Sequence, residues 1–123
     1  MKTILIIEDD AVTAHTYKKA LQKGGYEVDH AGDGEAGLAR IQRLRPDGVL
    51  LDLMMPKMGG IALLKLLRAM PDFTTLPVVA YTNAFVPQMV DEAKAAGATQ
   101  VLSKSTMTAQ TLTAAFRESL GTP

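Results

Sequence analysis

Cysteine and tryptophan are absent from this 123-residue chain, and it holds only three tyrosines and three phenylalanines. Without a thiol there is no disulfide framework, no thiolate metal site and no cysteine nucleophile. Histidine is nearly as scarce. Of the two, His15 falls mid-helix and His30 at a strand's end, and no site role is expected for either. An excess of one charge is also missing. Thirteen basic and thirteen acidic side chains cancel, which leaves no global pull toward nucleic acid or a membrane surface. No apolar run approaches the ~20 residues of a membrane-spanning helix. Met1-Lys2 runs straight into Thr3–Ile7, with no room for a signal peptide, so a cytoplasmic location is expected. The length suits one domain over residues 1–123, with a core of its own.

What the chain does contain is a strict alternation of two patterns. Short apolar or β-branched runs bounded by turn residues predict strands at "TILII" (3–7), "YEVDH" (26–30), "DGVLL" (47–51), "PVVAY" (77–81) and "TQVLS" (99–103). Three of them are almost continuously apolar, as strands covered on both faces are. Helical spacing lies between them: Ala14, Tyr17 and Leu21; Gly37, Leu38, Ile41 and Leu44; Leu63, Leu64 and Leu67; Val90, Ala93 and Ala96; Leu112, Phe116 and Leu120. Gly24-Gly25, Pro46 and Gly97 stop helices where strands follow. Five β-α units in succession predict an α/β fold, a parallel sheet with helices on both faces.

In such a sheet the working site lies beyond the carboxyl ends of the strands. Glu8, Asp9 and Asp10 leave the first strand there, Asp52 the third, Thr82 and Asn83 the fourth, and Lys104 the fifth. Each has an ordinary role available. Asp10 is a natural helix N-cap, Glu8 and Asp9 suit a helix dipole, Thr82 suits a strand end, and Lys104 suits a solvated loop. Met54, Met55 and Met58 read as loop and core filling. Collectively the ordinary roles fail, because carboxylates this close repel one another unless a cation sits among them. Oxygen donors without histidine or cysteine suit a hard ion such as Mg²⁺. A cation, a carboxylate, a hydroxyl and an ammonium then form a phosphoryl site. Asp52 is its nucleophile, and Lys104 and Thr82 receive the phosphoryl oxygens.

The blocks "ILIIEDD", "PDGVLLDLMMPKMGG", "VVAYTNA" and "GATQVLSKS" resemble, in order and spacing over the whole chain, those of the receiver domain of bacterial two-component response regulators. The resemblance implies a flavodoxin-like (βα)5 fold with strand order 2-1-3-4-5. It implies phosphorylation of Asp52 by a sensor histidine kinase or phosphotransfer protein. It further implies Mg²⁺ bound by Asp9, Asp52 and the backbone carbonyl of Met54, with Glu8 acting through a bound water, and switch roles for Thr82 and Lys104. Such a chain catalyses only its own phosphorylation and dephosphorylation, and acts on a downstream protein rather than on nucleic acid or a membrane. Three positions depart from the family's pattern. Asn83 replaces a small residue after the switch threonine, Val101 replaces the switch aromatic, and Ser105 replaces the proline after Lys104. Without that proline a cis bond costs roughly 2.5–4 kcal/mol, so Lys104–Ser105 is predicted to be trans.

A haloacid-dehalogenase phosphatase would need an aspartate where Met54 stands, and Glu8-Asp9-Asp10 would repel the phosphate of a flavin. A pseudo-receiver that only binds other proteins is the remaining alternative. No output module follows residue 120, so the chain is expected to be a stand-alone receiver or a piece of a longer protein.

Overall fold

The computed structural model describes residues 1–121; Thr122 and Pro123, the end of the expected 1–123 domain, lie outside the described residues. Five strands are laid down in chain order: β1 (Thr3–Ile7), β2 (Glu27–Ala31), β3 (Gly48–Asp52), β4 (Val78–Thr82) and β5 (Gln100–Ser103). Helices α1 (Ala11–Lys23), α2 (Gly34–Leu44), α3 (Gly60–Arg68), α4 (Pro87–Ala96) and α5 (Ala109–Leu120) follow them one by one. Short 3-10 turns occupy Pro71–Phe73 and Lys104–Thr106. All pairings are parallel, and the strand order is β2-β1-β3-β4-β5, as the resemblance implies.

The central strands are apolar throughout because both of their faces are covered. Every residue of β3 and β4 is buried, whereas the edge strands β2 and β5 are mostly half-buried. Alternate residues divide between two cores. Leu5, Ile7, Val49, Leu51, Val78 and Ala80 pack under α2, α3 and α4. Ile4, Ile6, Leu50, Val79 and Tyr81 pack under α1 and α5, with Leu21, Leu112 and Phe116.

The second to fifth strands each begin one residue later than the apolar runs suggest. Pro77 has no N–H to give a ladder, and at Asp47 the backbone N–H donates to the Thr3 carbonyl while the carboxylate, in place of a main-chain oxygen, accepts the Thr3 N–H, both at 2.8 Å. At their far ends the ladders continue, with Asp52 opposite Tyr81 and Thr82 opposite Ser103. Asp52 and Thr82 are therefore the last strand residues, held by sheet geometry, and not the first residues of loops. Leu44 also departs from expectation. It is the last residue of α2 and lies 38% exposed, and the chain turns left-handed just beyond it, at Arg45 (φ 50°).

Helix starts are of two kinds. Asp10, Asp33 and Thr108 cap α1, α2 and α5 by accepting the N–H of Thr13, Ala36 and Thr111. Gly59 and Val86, which precede α3 and α4, give no side-chain cap. At Gly60 the chain passes so close to β3 that a Cβ would stand 2.7 Å from the Asp52 carbonyl oxygen, so only glycine fits. Arg68 ties the α3 end to its surroundings, donating to the Gly97 carbonyl at 2.7 and 3.2 Å and to the Phe73 carbonyl at 2.7 Å.

Candidate functional site

Strand register delivers the acidic residues to one edge. Ile7 pairs with Leu51, so Glu8, the next residue, comes level with Asp52, and Asp52 itself pairs with Tyr81. By the alternation of side chains, Glu8, Asp52 and Tyr81 all face the α1/α5 side. One oxygen from each of Glu8, Asp9 and Asp52 lies within 4.8 Å of the others. Glu8 and Asp52 are buried, at 1% and 6% exposure, while Asp9 opens to solvent.

The pocket is tightly bonded around Glu8. Its Oε2 accepts the Asp10 N–H at 3.0 Å, and its Oε1 accepts the Tyr81 hydroxyl at 2.5 Å. The His30 Nε2 lies 2.7 Å from the Glu8 backbone oxygen, a contact with the main chain and not with the carboxylate. His15 is exposed on α1. Asp52 Oδ1 accepts the Met54 N–H at 2.9 Å. Among the described residues no buried polar side-chain atom lacks a hydrogen-bond partner.

Burial dominates the electrostatics. It pushes the Glu8 carboxyl up to about 7, against the lowering effect of the Asp10 N–H and the Tyr81 hydroxyl; Asp9 and Asp52 add to the rise. Asp52 is raised as well, by burial first, with the Met54 N–H and the Lys104 charge opposing. Asp10 is different: the Thr13 hydroxyl and N–H hold its carboxyl below the usual range, as an N-cap should be held. Three oxygen donors, two of them pushed toward protonation chiefly by burial, suit a hard divalent cation.

On the other flank the geometry is looser. Thr82 is fully buried, and its Oγ1 accepts the Ala84 N–H at 3.0 Å. Asn83 is exposed. Lys104 opens the 3-10 turn after β5, half-buried, and forms no ion pair within 4.0 Å among the described residues; it acts on Asp52 and Asp10 only through its field. Val101 is half-buried against the α2–α4 core. The Lys104–Ser105 bond is trans, as predicted, and no cis bond occurs among the described residues. Met54 stands just past β3 with its side chain half exposed, while Met55 is buried in the core, so the loop-and-core assignment of the methionines holds.

Sequence reasoning overlooked Tyr81. It reads as one more aromatic in an apolar strand, yet it reaches Glu8. The available signal was parity: in "VVAYT", Tyr81 shares the face of Asp52 in "VLLD".

No described helix is long and apolar enough to cross a membrane. A family model described as the response regulator receiver domain matches residues 4–117. Among curated relatives, the probable transcriptional regulatory protein TcrX of Mycobacterium tuberculosis is 39% identical over 80 residues, covering 65% of this chain and 33% of that protein. The DNA-binding response regulator MtrA of Mycobacterium leprae is 44% identical over 66 residues, covering 54% and 29%. The match thus spans about a third of the length of these relatives. Among solved structures, the chemotaxis protein CheY4 of Vibrio cholerae superposes with a TM-score of 0.91 at 32% identity, covering 98% of this chain and 99% of that one. The Francisella response regulator 1452 receiver domain gives 0.90 at 25% identity, covering 98% and 97%. A parallel sheet in order 2-1-3-4-5 with an acidic pocket at its carboxyl edge, and a family match over nearly the whole chain, lead to one conclusion: the chain belongs to the response regulator receiver domain family.

Proposed function

We propose that residues 1–123 are one phosphoacceptor signalling domain, in which Asp52 takes a phosphoryl group from a sensor histidine kinase or phosphotransfer protein. The observation that carries this is the gathering of the Glu8, Asp9 and Asp52 oxygens within 4.8 Å at the carboxyl edge of the sheet. Glu8, Asp9, Asp52 and the Met54 carbonyl would hold Mg²⁺. That ion, when bound, would neutralise phosphoryl oxygens while charge spreads over them.

The remaining chemistry belongs to the chain. Asp52 Oδ1 is held by the Met54 N–H, which fixes the plane of the carboxylate. A carboxylate oxygen attacks phosphorus, the P–N bond of the donor phosphohistidine breaks, and its electron pair stays on the departing imidazole. Lys104 swings toward the new negative charge. Thr82 exchanges its bond to the Ala84 N–H for one to the phosphoryl group, and Asn83 lines the approach. Attack of water on phosphorus later restores the Asp52 carboxylate and releases inorganic phosphate. The chain turns over no outside substrate. Because the donor kinase draws on ATP, the cytoplasm is the compartment that suits it. The zero net charge supports a protein, not nucleic acid, as the target of these residues.

Asp52→Asn tests the assignment. With acetyl phosphate and Mg²⁺, the unaltered protein should gain the mass of one phosphoryl group and the variant none, with circular dichroism unchanged. Full labelling of the variant would remove Asp52 as acceptor.

A further inference from the structure

Tyr81 takes no part in the chemistry proposed above, yet it is fully buried, with its hydroxyl on a site carboxylate. The reach is unusual. Glu8 follows β1 and Tyr81 lies on β4, with β3 between them, so the two backbones are about 10 Å apart at ~4.8 Å per strand. Only a long, rigid side chain with a donor at its tip spans that gap. Tyr17 of α1 meets the Tyr81 ring edge-on, with centroids 5.3 Å apart and planes at 77°, and so limits its swing. The second Glu8 oxygen is already fixed by the Asp10 N–H. Glu8 has three rotatable bonds, and with both oxygens engaged it keeps one orientation beside Asp9 and Asp52.

We propose that Tyr81 is a positioning residue for the divalent cation: its hydroxyl fixes the Glu8 carboxylate, so that Mg²⁺ meets an acceptor already in place. This rests on the metal-site reading given above. Partners of this kind, behind the groups that hold a metal, commonly contribute 10–100-fold to metal affinity, and a ring that merely fills the core contributes nothing through its hydroxyl.

The experiment is calorimetric titration of Mg²⁺ into four proteins: unaltered, Tyr81→Phe, Glu8→Gln and the double variant. Phenylalanine keeps the ring against Tyr17 and removes only the donor. Tyr81→Phe should weaken binding about tenfold, while labelling by acetyl phosphate returns to the unaltered extent at saturating Mg²⁺. In the Glu8→Gln background the same change should cost nothing further, because Tyr81 acts through Glu8. An affinity within about twofold of the unaltered protein, or an equal loss in both backgrounds, overturns the inference. If the unaltered protein itself takes up no Mg²⁺ at millimolar concentration, the metal-site reading falls and this inference with it. Should Tyr81→Phe not fold, tyrosine labelled with ¹³C at Cζ carries the test in the unaltered protein. Two of its three tyrosine signals, those of Tyr17 and Tyr81, should move with Mg²⁺ while remote Tyr26 stays; a set of signals indifferent to Mg²⁺ overturns the inference.

Discussion

The two flanks of the acidic edge are built to different standards. On the β1–β3 flank, both Glu8 oxygens and the Glu8 carbonyl are engaged, Asp52 is held by the Met54 N–H, and Asp10 caps α1. On the β4–β5 flank, the Thr82 hydroxyl is bonded only to the loop that follows it, Lys104 has no close counter-ion among the described residues, and α4, which follows β4, starts without a side-chain cap. Phe85 and Val86, which lead into α4, are 47% and 52% exposed. One flank is ordered before any ligand arrives and the other keeps freedom to rearrange. Binding benefits from the first property and a switch needs the second.

The strongest way to sharpen this contrast is to fill the ordered flank. At a hundredfold excess over its dissociation constant, Mg²⁺ should add about 2.7 kcal/mol of stability, read as a rise in melting temperature over chelator. Asp9→Ala should raise the melting temperature in chelator, by relieving repulsion, and remove most of the Mg²⁺ response. An unchanged response would break the comparison at its base.

Next comes pH. The Glu8 carboxyl sits at about 7 in the folded protein, above its ordinary 4.5. Between those values the folded state keeps a proton that the unfolded state has lost, so stability must fall as pH rises. The metal-free protein should therefore lose stability from about pH 4.5 to about pH 7 and level off above. Mg²⁺ affinity should rise over the same interval, since the cation displaces that proton. Glu8→Gln should flatten both curves.

Beryllofluoride should produce a smaller effect on the loose flank. With Val101 in place of an aromatic ring, no large side chain swings inward behind Thr82. Amide exchange over α4, β5 and α5 should change modestly, and a strong reordering of that face would contradict the prediction. The smallest effect is at the start of α3. Gly59→Ser supplies a side-chain cap and should stabilise by only a few tenths of a kcal/mol, detectable as a shift in urea midpoint.

Much of this could be read from the sequence because burial on both faces leaves a plain mark. β1, β3 and β4 are continuous apolar runs, and only covered strands can be so. Asp52 interrupting such a run announced the site. Boundaries were less legible: a strand ends where pairing ends, and the partners of Asp52 and Thr82 lie on other strands. Leu44 matched the helical spacing, yet as the last residue of α2 it is left exposed. Tyr81 was concealed for a different reason. Its composition is ordinary for a strand, and its importance comes from a contact two strands away, which local pattern does not encode.

The position of β1 within the sheet has a consequence for biogenesis. β1 is made first, yet one of its two edges can be closed only by β3. Until Gly48–Asp52 has emerged and paired, the stretch Ile4–Ile7 presents an open, uncharged, strongly β-forming edge, bracketed only by Lys2 and Glu8. Segments of that composition adhere to one another when left exposed. A ribosome stalled between Ala31 and Gly48 would therefore release a fragment prone to aggregate rather than an inert one.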